Sequence, residues 1–292
     1  MVDKSLSSRI LDGINYLLLL LIAAACVLPF IYILAASITD PQELIKKGFI
    51  LFPTKFSLVG YQYILSTDVI LSSLSVSIGI TVVGTLANLF FTALMAYPLA
   101  QRDLMGVSFF MKMVVFSMLF SGGMIPTYLV VKETGLLDNP AALIVPGLIS
   151  AFNLIIMRSF FQQLPDGLEE AARIDGCSDI GILFRIVLPL SAPVLASLAL
   201  FYAVGHWNAY FNAILYINDS TYWPIQVWLR QIVILSQGGI GDSSQFGDDF
   251  VPPPAETIKM AVIVLSTLPI LIVYPFLQKH FAKGALLGSV KG

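Results

Sequence analysis

Charged residues divide the 292-residue chain before any other property is considered. Stretches of nineteen or more residues without Asp, Glu, Lys or Arg run 13–39, 69–101, 113–131, 139–157, 186–218 and 260–278. At roughly 1.5 Å per residue, nineteen helical residues span about 28 Å, close to the ~30 Å hydrocarbon core of a bilayer. A charge at the helix centre costs about 2.5 to 3.5 kcal/mol, while a Leu, Ile, Phe or Val returns only about 0.3 to 0.6. One central charge therefore cancels roughly six such side chains, and empty stretches mark spans. The pattern predicts an all-α, polytopic membrane protein of one domain, 1–292, with six transmembrane helices near 14–38, 70–98, 108–131, 139–160, 187–217 and 257–279. A buried helix of a soluble protein accounts for one short apolar run, not for six long ones. The unbroken apolar character of Leu17 to Phe30 and Val114 to Leu119 contradicts the alternation of a membrane β-barrel.

Composition narrows the function classes. Hydrophobic residues make up 57% and charged residues 12%, with a mean hydropathy of +0.86, against about 25% charged residues in a soluble domain. The net charge of −2 leaves no basic face to neutralise a nucleic-acid backbone. Cys26 and Cys177 have neither C-x-x-C spacing nor a His cluster nearby, which supports no disulfide framework and no metal site. Asp242, Asp248 and Asp249 lack the spacing of a calcium loop and read as a solvated segment. No Ser, His and Asp set with recognisable spacing points to catalysis, so the candidate catalytic list is empty.

Lys4 and Arg9 before a Leu-rich run resemble a signal peptide, and Ala23 to Cys26 faintly resembles a lipoprotein site. The apolar run continues to Ile38 with no small-x-small site to close it, which favours a retained anchor. With the N-terminus inside, ten Lys and Arg fall on inner segments and six on outer ones. That bias favours both termini in the cytoplasm, against the pull of Lys46 and Lys47 after the first span. Small residues recur four apart at Ser73, Ser77, Thr81 and Thr85, with Gly84 and Asn88 on an adjacent stripe, as expected of a helix-packing face. Pro98 is expected to end the second span, and Pro146, Pro189, Pro193, Pro269 and Pro275 to break or bound the later ones.

The longest inner segment, Arg158 to Arg185, is organised. Pro165, Asp166 and Gly167 give a turn before a run of good helix formers, and Gly176 supplies a left-handed stop. Ser178 reads as the N-cap of a second helix closed by Pro189. The prediction is a helical elbow over about 165–188 on the cytoplasmic face, a shape suited to receiving force from another protein.

Here the residues resemble a family. The segment from Glu170 to Pro189 is similar to the EAA motif of ABC importer permeases: E-A-A, three residues, G, nine residues, I-x-L-P. Glu170, Ala171, Ala172, Gly176, Ile186, Leu188 and Pro189 occupy its defined positions. FSLVGYQYIL before the second span, the pair Trp207 and Asn208, and the tail FLQKHFAKGALLGSVKG resemble the second, shorter permease of maltose-type carbohydrate importers. The resemblance implies a type I importer permease fold in the bacterial inner membrane, in which the elbow is a coupling helix docking in a groove of an ATPase subunit. It also implies a related second permease, two ATPase subunits or domains carrying ATP and Mg, an extracytoplasmic solute-binding protein and a carbohydrate substrate. By the same resemblance the tail over 280–292, with Phe281, Gly284, Gly288, Lys291 and Gly292, reaches into the ATPase dimer; a basic tail lying near anionic lipid is the plainer alternative.

Two readings do not need the family. No Gly-Lys pair exists in the chain, so no P-loop is present and the energy source must be a partner. An ion-coupled carrier keeps an ionisable group in its spans, and His206 is the one candidate, with a structural role the plainer reading. For a pathway, Asn88, Asn153, Asn208 and Asn212 offer amide donors and acceptors to a neutral polyhydroxylated solute, with Trp207, Tyr210 and Tyr216 placed to stack on sugar faces. Helix joining and an interfacial aromatic belt are the alternatives for the same residues. The segment from Asn218 to Glu256, with Trp223, Trp228 and Arg230 in a possible helix, lies outside in the same orientation, and the family resemblance implies that it is a docking surface for the binding protein.

Overall fold

The computed structural model describes residues 6–66, 68–101, 103–236 and 255–289. Helices follow one another as α1 (Leu6–Ser37), α2 (Pro41–Lys47), α3 (Val59–Ser66), α4 (Asp68–Ala100), α5 (Val107–Leu119), α6 (Met124–Glu133), two short 3-10 turns (Pro140–Leu143 and Val145–Gly147) and α7 (Ala151–Phe161). Then come α8 (Asp166–Ile174), α9 (Asp179–Leu190), α10 (Ala192–Trp207), α11 (Phe211–Tyr216), α12 (Ile225–Ser236) and α13 (Ala255–Ser289). Among the described residues there is no strand, only an isolated antiparallel bridge between Thr39 and Phe56.

The apolar stretches divide into straight and bent elements. Ile10–Ser37, Asp68–Ala100 and Glu256–Val273 are long and apolar enough to cross a membrane unaided. Three further pairs qualify only together: α5 with α6, bent by 116°, the 3-10 segment Pro140–Gly147 with α7, by 53°, and α9 with α10, by 84°. The α5–α6 bend lies within one charge-free stretch. Gly122 and Gly123 mark it, Gly123 having φ 87, and no charge announces it. Pro98 lies within the last turn of α4 and does not stop it short. Apolar side chains of α1 from Leu17 to Leu21 are all exposed, an arrangement that only lipid or partner helices make favourable.

Two compact units form. In the first, drawn from Met1–Asp68 and Leu229–Thr267, Ala36, Leu44, Ile50 and Met260 make a small core with Tyr32, Ile33 and Ile263 against it. Asp40 caps α2 by accepting from the Gln42 and Glu43 amides at 3.0 and 3.4 Å. Glu43 staples the following loop: its carboxylate accepts from the Lys47 ammonium at 2.7 Å, from the Thr54 hydroxyl, and from the Thr54 and Lys55 amides. The Lys47 contact, followed by that of Thr54, lowers its pKa to about 2.

The second unit, Val69–Trp228 with Leu268–Gly292, is built around α4. Its buried stripe is Ser73, Ser77, Ile80, Gly84, Asn88, Thr92 and Ala96. The four-residue spacing Ser73, Ser77, Thr81, Thr85 leaves this stripe after two members. The buried row takes one step of three, from Ser77 to Ile80, and then continues four apart through Gly84, Asn88, Thr92 and Ala96, which puts Thr81 and Thr85 on the adjacent row, their hydroxyls buried without a partner.

Along that stripe α4 makes polar ties to three segments. The Ser77 hydroxyl accepts from the Ile225 amide at 2.8 Å. The Asn88 amide donates to the carbonyls of Gly147 and Leu148 at 2.7 and 3.0 Å, and its oxygen lies 2.7 Å from His206 Nε2. Because that oxygen only accepts, the imidazole nitrogen donates. Thr92 and Tyr202 hydroxyls are 2.8 Å apart, and Tyr202 also accepts from the Ser150 amide at 3.2 Å. Gly84 makes this geometry possible, since a Cβ there would meet His206 Nε2 at 2.6 Å.

Gly84→Ala is expected to destabilise the protein by about 1–3 kcal/mol through overpacking against His206, read as a lower melting temperature in detergent. Gly79→Ala, where nothing lies within 4 Å, is expected to be neutral or stabilising. Glu43 has its pKa depressed from 4.5 to about 2, so its contribution is present above pH 4.5 and is lost as pH falls towards 2. Pepsin cleavage around 48–56 is expected to rise across that window, and Glu43→Gln to flatten the pH dependence.

Candidate functional site

The elbow is formed by α8, a tight turn and α9. Helix α8 ends in a Schellman turn: the Cys177 amide donates to Ala172 O at 2.9 Å and the Gly176 amide to Arg173 O at 3.0 Å. Gly176 takes φ 80 there, where a side chain would be strained. Two residues on, the Ser178 hydroxyl accepts from the Gly181 amide at 3.2 Å and caps α9, with Asp179 in the first turn. Arg173 and Asp179 sit 3.4 Å apart across the turn, both well exposed, a pair of small energetic weight.

Pro189 does not close the second helix as its sequence suggests. It lies inside the short continuation Leu188–Leu190, and the break falls at Ser191, before α10 turns by 84°. A proline cannot donate to the carbonyl four residues back. Here the preceding Leu183–Val187 segment widens to a π-helix, whose i→i+5 pattern accommodates the missing bond.

One side of the elbow is rooted in the unit's core. Ala172, Ile182, Leu183 and Val187 are buried in the same cluster as Ala96, Met157 and Leu198, and Cys177, Ile186 and Leu188 pack against it. The other side is open. Glu170 and Ala171 are exposed, and Ile174 and Ile180 expose 87% and 69% of their surface. The motif residues thus divide into anchors (Ala172, Ile186, Leu188) and a presented face (Glu170, Ala171), with Gly176 setting the angle between the two helices.

A second attachment escaped the sequence reading. Glu169, one residue before the motif, accepts from Gln101 Nε2 at 2.8 Å and from the Tyr97 hydroxyl at 3.3 Å. Arg158 Nε donates to Leu99 O at 2.7 Å and Gln162 Nε2 to Ala100 O at 3.5 Å, satisfying carbonyls at the end of α4. Beside them lies a polar cavity of about 180 Å³, lined in part by Gln101, Asp103, Gln162, Glu169, Glu170 and Arg173. The available signal was Tyr97 and Gln101 spaced four apart at the end of a charge-free run, hence on one helix face.

The pathway candidates separate by burial. Asn88 is 1% exposed and its amide is committed to Gly147, Leu148 and His206, a helix-joining role. Asn153 and Trp207 are buried at 5% and 4%. Trp207 borders an apolar groove with Ile78, Val82 and Pro269. Asn208, Tyr210 and Asn212 are exposed at the break between α10 and α11. Asn208 bonds back to Val204 O at 2.9 Å. Near that break Asp138 accepts from both the backbone and side-chain amides of Asn218, which lowers its pKa and ties the loop after α6 to the loop after α11. Trp228 and Arg230 lie on α12 and Trp223 just before it, its indole donating to Ile217 O at 2.9 Å.

Among the tail residues, Phe281, Gly284 and Gly288 fall on the C-terminal part of α13, and Lys291 and Gly292 lie outside the described residues. So do Asp242, Asp248 and Asp249, and no cluster of possible metal ligands occurs among the described residues.

Comparison with known proteins places this architecture. Residues 7–286 match the family model described as binding-protein-dependent transport system inner membrane component. The polygalacturonan/rhamnogalacturonan transport system permease protein YtcP of Bacillus subtilis is 60% identical over 98% of this chain and 100% of its own length. Protein LplC of Bacillus subtilis is 57% identical over 98% of this chain and 96% of its own. In a crystal structure of a bacterial ABC transporter involved in the import of the acidic polysaccharide alginate, one chain superposes with a TM-score of 0.88 at 32% identity, covering 96% of this chain and 100% of that one.

Proposed function

The chain belongs to the binding-protein-dependent transport system inner membrane component family, and from that premise we propose that it is the permease subunit of an ATP-driven importer of oligosaccharides, fragments of acidic polysaccharides first among them. The cargo reading is supported by the names of the relatives, a polygalacturonan/rhamnogalacturonan permease and an alginate importer. The observation that carries the mechanism is the elbow. One face is fixed in the core through Ala172, Ile182 and Val187, while Glu170, Ala171, Ile174 and Ile180 are presented outward. Exposed aliphatic side chains on either side of the elbow's turn, beside Glu170 and Ala171, mark a docking surface.

In this reading Glu170 to Pro189 seat against a separate ATPase subunit that holds ATP and Mg, and Gly176 keeps the two elbow helices at the angle that fits its groove. ATP-driven closure of two such subunits moves the elbow, and α9 passes that motion directly into α10. With a second permease subunit the spans then alternate between outward and inward openings, and a solute-binding protein delivers cargo on the outer side, beside the loops tied by Asp138. Both termini and the elbow are cytoplasmic, and the C-terminal residues from Phe281 extend towards the ATPase pair. Asn208, Tyr210 and Asn212, exposed at the α10–α11 break, are the solute-contact candidates.

Gly176→Glu is expected to abolish ATP-dependent uptake of radiolabelled oligogalacturonide in proteoliposomes holding the full assembly, and to abolish solute-stimulated ATP hydrolysis, with membrane insertion unchanged. Normal coupling in that variant refutes the assignment of the elbow.

A further inference from the structure

The elbow is joined covalently to membrane helices at both ends, α8 to α7 through residues 162–165 and α9 to α10, and Glu169 adds a third, non-covalent connection to α4. Helix α9 runs through Leu190 into α10. Helix α8, nine residues long, is too short to hold its own position in water. Beyond the packing of Ala172 and the short link to α7, the polar contacts of its Glu169 carboxylate hold it to the end of α4: the Tyr97 hydroxyl at 3.3 Å and, one residue past the helix, Gln101 Nε2 at 2.8 Å, both on the same oxygen. Tyr97 is 7% exposed and lies one turn before Gln101, so the carboxylate grips the end of α4 at two successive positions on one face.

Helix α4 is 33 residues long, roughly 50 Å, and exceeds the hydrocarbon thickness by about 20 Å. Its far end is therefore placed to meet the elbow, and its middle is tied to α10 through Thr92 with Tyr202 and through Asn88 with His206. Elbow, α4 and α10 form a closed loop of connections: α8 to α4 by Glu169, α4 to α10 by these two hydrogen-bonded pairs, and α10 back to α8 through α9.

We propose that Glu169 is a positioning residue for transport: its hydrogen bonds to Gln101 and Tyr97 make α4 move with the elbow, so that force on α8 displaces α4 and α10 as one body. Glu170 faces outward to the motor, whereas its neighbour Glu169 faces inward to the spans. A charge-assisted bond is the appropriate link, because it is stronger than a neutral one and requires no exposed apolar surface. This rests on the proposed function above, in which the elbow receives the stroke.

The test uses the complete assembly in proteoliposomes and measures solute molecules imported per ATP hydrolysed. Glu169→Ala is expected to lower that ratio roughly ten-fold, the loss of a bond to a charged group, with ATPase subunits still co-purifying. The swap Glu169→Gln with Gln101→Glu reverses acceptor and donor and is expected to restore most of the ratio. An unchanged ratio in Glu169→Ala overturns the proposal. So does loss of ATPase co-purification, which makes Glu169 a docking contact, and so does a swap that fails to rescue. If the unmodified assembly shows no ATP-driven uptake, the proposed function fails, and the link itself is then read by hydrogen exchange. Glu169→Ala is expected to raise exchange over 168–176 in the purified permease, and unaltered exchange there rejects the link.

Discussion

A membrane interior offers no water to a backbone group that a broken helix has released, and the penalty for leaving one unpaired is several kcal/mol. Three of the six apolar stretches in this protein are bent, so the fold depends on how the freed groups are met. Asn88 answers at one of these places. Its amide takes the carbonyls of Gly147 and Leu148 where the chain leaves the 3-10 segment for α7, and its oxygen takes the His206 proton. Tyr202 does the same for the Ser150 amide while meeting Thr92. Gly84 leaves room for the His206 ring. A straight helix, α4, thus supplies polar side chains to its bent neighbours.

The same helix connects this interior to the elbow. Arg158 and Gln162 occupy carbonyls at its end, and Glu169 binds the side chains there. Polar groups are few in this chain, and those near the elbow are used for attachment on one side and presentation on the other. That division suits the proposed mechanism, in which a partner delivers the stroke and this subunit transmits it.

Much of this was legible in the sequence because the bilayer penalises charge so heavily. The six empty stretches and the all-α class followed from that single cost. The elbow was legible because turn chemistry is local: Gly176 and Ser178 act on amides within five residues. What remained hidden was either non-local or unmarked by charge. Asn88 reads both as a solute contact and as a helix joiner, because an amide in a span looks identical whether it faces a cavity or a released carbonyl 59 residues away. The α5–α6 bend lies inside a charge-free run and is marked by Gly122 and Gly123 alone. Pro189 reads as a stop because the π-helical widening that tolerates it has no signature of its own. Glu169 and Glu170 read alike, since only the tertiary fold shows which of the two faces α4.

In the proposed mechanism force enters through the exposed face of α8. A photo-cross-linking amino acid at Ala171 in the assembled transporter is expected to give a covalent adduct between this subunit and an ATPase subunit, formed in complexes that import solute. Contradiction would be an assembly that imports solute with ATP while position 171 gives no ATPase adduct.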